Sequence, residues 1–284
     1  MTVTNASTAF ATLVDAAFVH AHLADPAMVV LDVGMRRNAD SVLVSSRGDY
    51  ELARIPRARF LDIGRDLSAP GRLHFMLPDA AQFATAMTAA GVTDTSSIVV
   101  YSRDRIWWAT RAWFVLRAFG LRRVAVLDGG FAAWRDGGYP VESGPPPASA
   151  AARFTPRAPN RAAVAVREDV LRALAAGGVV ANALSPAQHS GAETNHYSRP
   201  GRIAGSINLP GAALLDGAGR FLPPARLAEM LAPALGRDAI TYCGGGVTAT
   251  AVTFALALLG HPSRVYDGSL EEWSADAALP METG

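Results

Sequence analysis

One cysteine, Cys243, ends a short apolar run and is followed by three glycines: Ile240-Thr-Tyr242-Cys243-Gly244-Gly245-Gly246-Val247-Thr248. Successive glycines let a backbone curl through conformations that other residues avoid. Their N–H groups can then converge as an anion nest. A helix expected to start near Val247 or Thr248 adds its free N–H groups and the positive end of its dipole. A cysteine at the centre of such a loop is expected to be held as its nucleophilic thiolate. The chemistry that fits is covalent catalysis by an activated sulfur. A buried, inert cysteine is the alternative. Against it, three glycines weaken a strand-to-helix junction unless the backbone must approach something closely. Nucleotide binding fits less well. A P-loop needs Lys-Ser/Thr where this chain has Val247-Thr248-Ala249, and no Gly-x-Gly-x-x-Gly follows Gly246.

The elements that must position this loop occur twice. Ile98-Val-Val-Tyr101 resembles Ala239-Ile-Thr-Tyr242, and both read as buried strands. Each is followed by a loop and a long apolar stretch ending at glycine, Ala109 to Gly120 and Ala249 to Gly260. Then come a second strand and an Asp-Gly turn, at Asp128-Gly129 and Asp267-Gly268. Trp134 and Trp273 follow at the same distance. Upstream, Val29-Val-Leu-Asp32 pairs with Val179-Val-Ala-Asn182, and the segment from Ile55 with that from Ile203. The period is far longer than a solenoid repeat, so the chain is a duplicated domain. Alternating strand and helix patterns predict α/β architecture, two tandem domains each with a mainly parallel sheet flanked by helices. Pro140 to Pro159 reads as an extended linker. The boundary is placed near residue 150, giving domains 1–148 and 149–284.

Composition narrows the function. A chain of 284 residues suits two domains of about 100–150 residues each. A net charge of +1 without a basic stripe gives no case for nucleic acid. No apolar run reaches the ~18 residues of a membrane span, and Met1 to Leu31 lacks the pattern of a signal peptide. One cysteine cannot form an intrachain disulfide. A cytoplasmic location, no membrane and no cofactor are expected. His74, His189 and His196 fit no metal-ligand spacing.

The strand-Cys-Gly-x-Gly-Val-Thr loop, the tandem copies and the Asp128-Gly-Gly-Phe-Ala-Ala-Trp134 segment resemble the tandem-domain rhodanese family, the thiosulfate and 3-mercaptopyruvate sulfurtransferases. The resemblance runs from about Val29 to Trp273. It implies an active site in the cleft between domains. There the cysteine takes sulfur from a small donor as a persulfide and passes it to a thiol or cyanide. Ser102 follows Tyr101 where Cys243 follows Tyr242, so 1–148 is the inactive copy and 149–284 the catalytic one. Thiosulfate-type members carry Cys-Arg-Lys-Gly in the loop and mercaptopyruvate-type members Cys-Gly-Ser/Thr-Gly. The uncharged loop here is closer to the second type. The donor pocket departs from it. Gly245 stands where that type has a hydroxyl, Phe75 where it has histidine, Gly64 at its partner acid, and Gln188-His189 at its Arg-Phe pair.

The donor-binding candidates are therefore Arg199, whose planar guanidinium could grip a carboxylate, and His189. From the inactive copy come Arg103 and Trp107, in the counterpart of the glycine loop. Asp128 and Asp267 are expected to cap backbone. A cysteine phosphatase of similar fold would need arginine at position 249, which is alanine. A non-catalytic sulfur-sensing or interaction protein is the other alternative.

Overall fold

The computed structural model describes residues 10–145, 152–193 and 197–284. The boundary between 148 and 149, like His196, lies outside the described residues.

The first half runs β1 (Leu13–Val14), α1 (Ala16–His22), β2 (Met28–Asp32), β3 (Met35–Arg37), β4 (Leu43–Ser45), α2 (Arg47–Leu52), β5 (Arg59–Phe60), α3 (Ala80–Ala89), β6 (Ser97–Tyr101), α4 (Ile106–Ala118), β7 (Val124–Leu127) and α5 (Gly130–Asp136). The second runs β8 (Val164–Ala165), α6 (Arg167–Ala175), β9 (Val179–Asn182), α7 (Pro186–Ser190), β10 (Arg202–Ile203), β11 (Ile207–Asn208), α8 (Pro224–Leu231), β12 (Ala239–Tyr242), α9 (Ala249–Leu258), β13 (Arg264–Tyr266), α10 (Ser269–Trp273) and β14 (Met281–Glu282). Each half holds a five-stranded sheet, in the orders β1-β7-β6-β2-β5 and β8-β13-β12-β9-β11. Every pairing in both sheets is parallel. The orders correspond strand for strand, as the repeat predicts.

Local chemistry explains the elements. Strands β6 and β12 are buried along their whole length, which a parallel sheet covered on both faces requires. Asp15, Asp79 and Ser185 accept a backbone N–H from the first turns of α1, α3 and α7. The repeated residues hold the same posts in each copy. The hydroxyls of Tyr101 and Tyr242 accept the N–H of Ile55 and Ile203. The indoles of Trp134 and Trp273 donate to the carbonyls of Pro140 and Pro280.

The halves meet along α4 and α9, the helices that follow the two central strands. Thr110 and Thr250, equivalent in the repeat, bond hydroxyl to hydroxyl at 2.9 Å. Trp113 sets its edge on Phe254 with ring centroids 4.9 Å apart. One apolar core runs through this junction, and each half keeps a second cluster on its outer face. Each half also sends a segment across. The Leu77 N–H bonds to Asp267 at 2.7 Å, and the Phe221 N–H to Asp128 at 3.0 Å. The two turn aspartates do cap backbone, but the backbone of the opposite half. No helix among the described residues is long and apolar enough to cross a membrane.

Candidate active site

Cys243 stands at the carboxyl end of β12, the middle strand of the second sheet, and only 2% of its surface is exposed. Its N–H bonds to the Ser269 hydroxyl at 3.2 Å. Three loop carbonyls are taken by donors outside the loop. Leu270 N–H holds Cys243 C=O at 3.1 Å, Glu271 N–H holds Gly244 C=O at 2.8 Å, and Arg111 holds Gly246 C=O at 3.1 Å. In a trans peptide the N–H points opposite to the C=O, and no cis peptide bond occurs among the described residues. The amides of Gly244, Gly245 and Val247 are thereby turned away from these donors. Helix α9 starts at Ala249, one residue later than the sequence suggests. The first N–H groups bonded at its start are those of Thr250 and Ala251, to the Val247 and Thr248 carbonyls, so the preceding amides stay outside its ladder. The arrangement holds the carbonyls of Cys243, Gly244 and Gly246 outward.

The three glycines serve three purposes. A Cβ on Gly244 would fall on the Tyr197 hydroxyl. A Cβ on Gly245 would meet nothing nearer than Glu271 Oε2 at 3.4 Å and Phe75 Cδ2 at 4.0 Å. Gly246 alone has positive φ, 73°, and its Cβ would lie 2.8 Å from the Asp267 carbonyl oxygen.

Both halves wall the loop. From the first, Phe75 lies over Gly245 with its ring 5.4 Å from that of the buried Trp108. Next to it, the His74 ring bonds to Glu271 at 2.6 Å, and Glu271 also takes the His74 N–H. From the second half, Tyr197 covers Gly244. Burial, reinforced by Cys243 and Glu271, pushes its phenol up, so it remains an O–H donor at the loop. Two strained residues adjoin the site: Phe75 at φ 57° and Ser269 at φ 48°. The first copy has Gly130 at the position of Ser269, also at positive φ. The second copy keeps a serine there, and its hydroxyl accepts the Cys243 N–H and donates to the Tyr266 carbonyl. Strain of this kind is retained where neighbours over-determine it.

The other sequence candidates are not brought together at Cys243. Arg199 spends its guanidinium on four backbone carbonyls, those of Trp273, Ser274, Asp276 and Leu279, and pins the C-terminal segment. Arg103 bonds to the buried carboxylate of Asp32 at 2.8 Å and lies over the Phe131 ring. Burial pushes the Asp32 carboxyl up and the Arg103 charge opposes it. Arg103 is thus an internal counterion of the first copy. Trp107 lines a cavity of about 340 Å³ beside Ser102 and the 215–219 segment, while its neighbour Trp108 faces Phe75. His189 is half-buried in α7, facing Arg202, Ser206 and Glu282 on the β10–β14 side. Among the described residues no group of three His, Cys, Asp or Glu could hold a metal ion.

Burial, aided by Arg202, holds the His189 pKa below the usual 6.5. As pH falls below that value, the unfolded chain protonates this residue before the folded chain does. Stability that is full above 6.5 is lost as pH falls through the lower folded value. The melting temperature is expected to drop between about pH 7 and about pH 5, and His189→Gln to flatten that slope. An unchanged slope in the variant would contradict this assignment.

Four residues of the site escaped the sequence reading: Arg111, Tyr197, Ser269 and Glu271. Only Ser269 left a signal there, as the serine where the other copy has the second glycine of Asp-Gly-Gly.

The profile of the rhodanese-like domain matches residues 15–136 and 187–276. The 3-mercaptopyruvate sulfurtransferase of Escherichia coli K12 is 32% identical over 274 residues, covering 92% of this chain and 94% of that protein. A putative thiosulfate sulfurtransferase, SseB of Mycobacterium tuberculosis, is 31% identical over 252 residues, covering 83% and 85%. The crystal structure of SseA from Escherichia coli, solved for the fold and catalytic mechanism of 3-mercaptopyruvate sulfotransferases, superposes with a TM-score of 0.79 at 32% identity. It covers 91% of this chain and 99% of its own.

Proposed function

Because the chain belongs to the rhodanese-like family and is one of its tandem-domain sulfurtransferases, we propose that Cys243 is the atom carrier, with 3-mercaptopyruvate as the preferred donor. The Cys243 thiolate attacks the donor sulfur. A sulfur–sulfur bond forms, the donor carbon–sulfur bond breaks, and its electron pair leaves on the enolate of pyruvate, which takes a proton. An acceptor thiolate or cyanide then attacks the outer sulfur and frees Cys243. Residues 149–284 act as the catalytic domain, and residues 1–148 supply the facing wall. A cytoplasmic location, suited to the lone thiol, is part of the proposal.

The observation that carries this reading is the loop with all three of its anchored carbonyls held outward, which favours negative charge at its centre. The donor preference rests on charge. The loop brings no cation, and an arginine at position 244 would collide with Tyr197. Glu271 reaches to 3.4 Å from the Gly245 side-chain position. A carboxylate there opposes a dianion about twice as strongly as a monoanion, which penalises thiosulfate. Steady-state transfer to cyanide is expected to give kcat/KM at least roughly tenfold higher for 3-mercaptopyruvate, a difference of about 1.4 kcal/mol. A ratio favouring thiosulfate would contradict the donor assignment.

A further inference from the structure

We infer that Arg111, on α4 of the half that lacks the cysteine, is a positioning residue for sulfur transfer: it fixes the cradle around Cys243 from across the domain junction. The inference rests on the proposed role of Cys243. Arg111 is fully buried, and its guanidinium makes three hydrogen bonds. It pairs with Asp267 at 2.8 Å, takes the Gly246 carbonyl at 3.1 Å, and bonds to the carbonyl of Phe75. The Arg111 Nε has no partner among the described residues, so the hydrogen bonds of the side chain all go to these three acceptors, while its guanidinium lies over the Phe114 ring. The other oxygen of Asp267 receives the Leu77 N–H at 2.7 Å. One arginine and one aspartate thus grip both ends of the Phe75–Leu77 crossing segment and the third glycine of the loop.

Two consequences follow for the chemistry. The Gly246 carbonyl, held by Arg111, forces the Val247 N–H to the side away from Arg111. Without that hold, the peptide at Gly246 has the rotational freedom of glycine and can present its carbonyl dipole to the sulfur anion. Phe75, meanwhile, sits at φ 57°, a conformation costly for a bulky residue. Its carbonyl bond to Arg111 keeps it there, with the ring over Gly245. The Arg111 charge therefore sets the floor and the roof of the site together. The partners of Arg111 come from both halves, Phe75 from the segment between β5 and α3 and Gly246 and Asp267 from the second half, so no single half contains the complete site.

The test is single-turnover persulfide formation on Cys243 with 3-mercaptopyruvate, in wild type, Arg111→Lys, and the double variant Arg111→Met with Asp267→Asn. The double variant leaves no unpaired buried charge, which keeps it foldable. The first-order loading constant at saturating donor is expected to fall roughly tenfold or more in the double variant, since oxyanion-type donors act on the transition state. The half-saturating donor concentration should change less than about threefold, and Arg111→Lys should recover part of the rate. Amide exchange in residues 244–247 should accelerate in the variants, a readout that needs no sulfur chemistry. Loading within about twofold of wild type in a folded variant, or a loss confined to half-saturation, would make Arg111 a packing residue only. Loading of the wild-type chain itself bears on Cys243, and the ratio of variant to wild type bears on Arg111.

Discussion

Cys243→Ser is expected to abolish sulfur transfer while leaving the chain folded. Loss of a covalent nucleophile costs roughly a thousandfold or more in turnover, and a serine hydroxyl cannot hold a sulfane sulfur. The fold already accommodates serine at this position. Ser102 occupies it in the first copy, and its carbonyl accepts the Phe131 N–H at 3.0 Å, as Cys243 C=O accepts the Leu270 N–H at 3.1 Å. The Ser102 hydroxyl finds the Arg105 carbonyl at 2.8 Å. In the second copy a serine hydroxyl would face the loop amides. The melting temperature should therefore stay near that of the parent. Transfer to cyanide that survives Cys243→Ser would remove the cysteine from the mechanism.

Gly246→Ala is expected to cost nearly as much, by a different route. Its backbone is left-handed, which costs an L-residue about 1–2 kcal/mol. The added Cβ would also lie 2.8 Å from the Asp267 carbonyl, a backbone atom that cannot swing aside. The peptide must rotate, and it takes the Gly246 carbonyl off Arg111. A loss of roughly a hundredfold in kcat/KM is expected, comparable to removing one oxyanion-hole donor, with a lower melting temperature. The adjacent Gly245→Ala is the control. Its Cβ meets only ordinary contacts, at 3.4 and 4.0 Å, and its φ is not left-handed. It should fold normally and retain transfer within about threefold. Equal losses at 245 and 246 would mean that the loop tolerates no side chain, rather than that its geometry at 246 is anchored.

The duplicated architecture was legible because both copies reuse the same residues for the same local tasks. Tyr101 and Tyr242, or Trp134 and Trp273, sit at fixed distances from strand ends, and one-dimensional spacing records that. The Cys243 loop was legible from its own run of three glycines between a strand and a helix. What crosses between halves was not. Leu77 meets Asp267 and Phe75 meets Arg111 through contacts between distant parts of the chain, with no periodicity to mark them. The arginines misled most. Arg103 and Arg199 stood in suitable loops, but long guanidinium side chains are drawn to whatever acceptors burial leaves. Asp32, buried at the end of β2, claimed the first, and the C-terminal carbonyls claimed the second. The contrast between Asp32 and its counterpart Asn182 was the available clue that the first copy needs an internal cation.

A changed donor preference and a retained Cys243 loop are compatible on physical grounds. The loop around Cys243 is held by backbone carbonyls and their donors, which side-chain changes at 75 and 245 leave in place. Donor choice would depend instead on the side chains that face the loop, such as Phe75 and Glu271.

The most direct measurement is the intact mass of the folded chain after incubation with 3-mercaptopyruvate and removal of free donor, followed by peptide mapping. The expected result is a gain of one sulfur atom, located on the peptide containing Cys243 and released by cyanide. A folded chain that gains no sulfur at Cys243 from 3-mercaptopyruvate or thiosulfate would contradict the central claim.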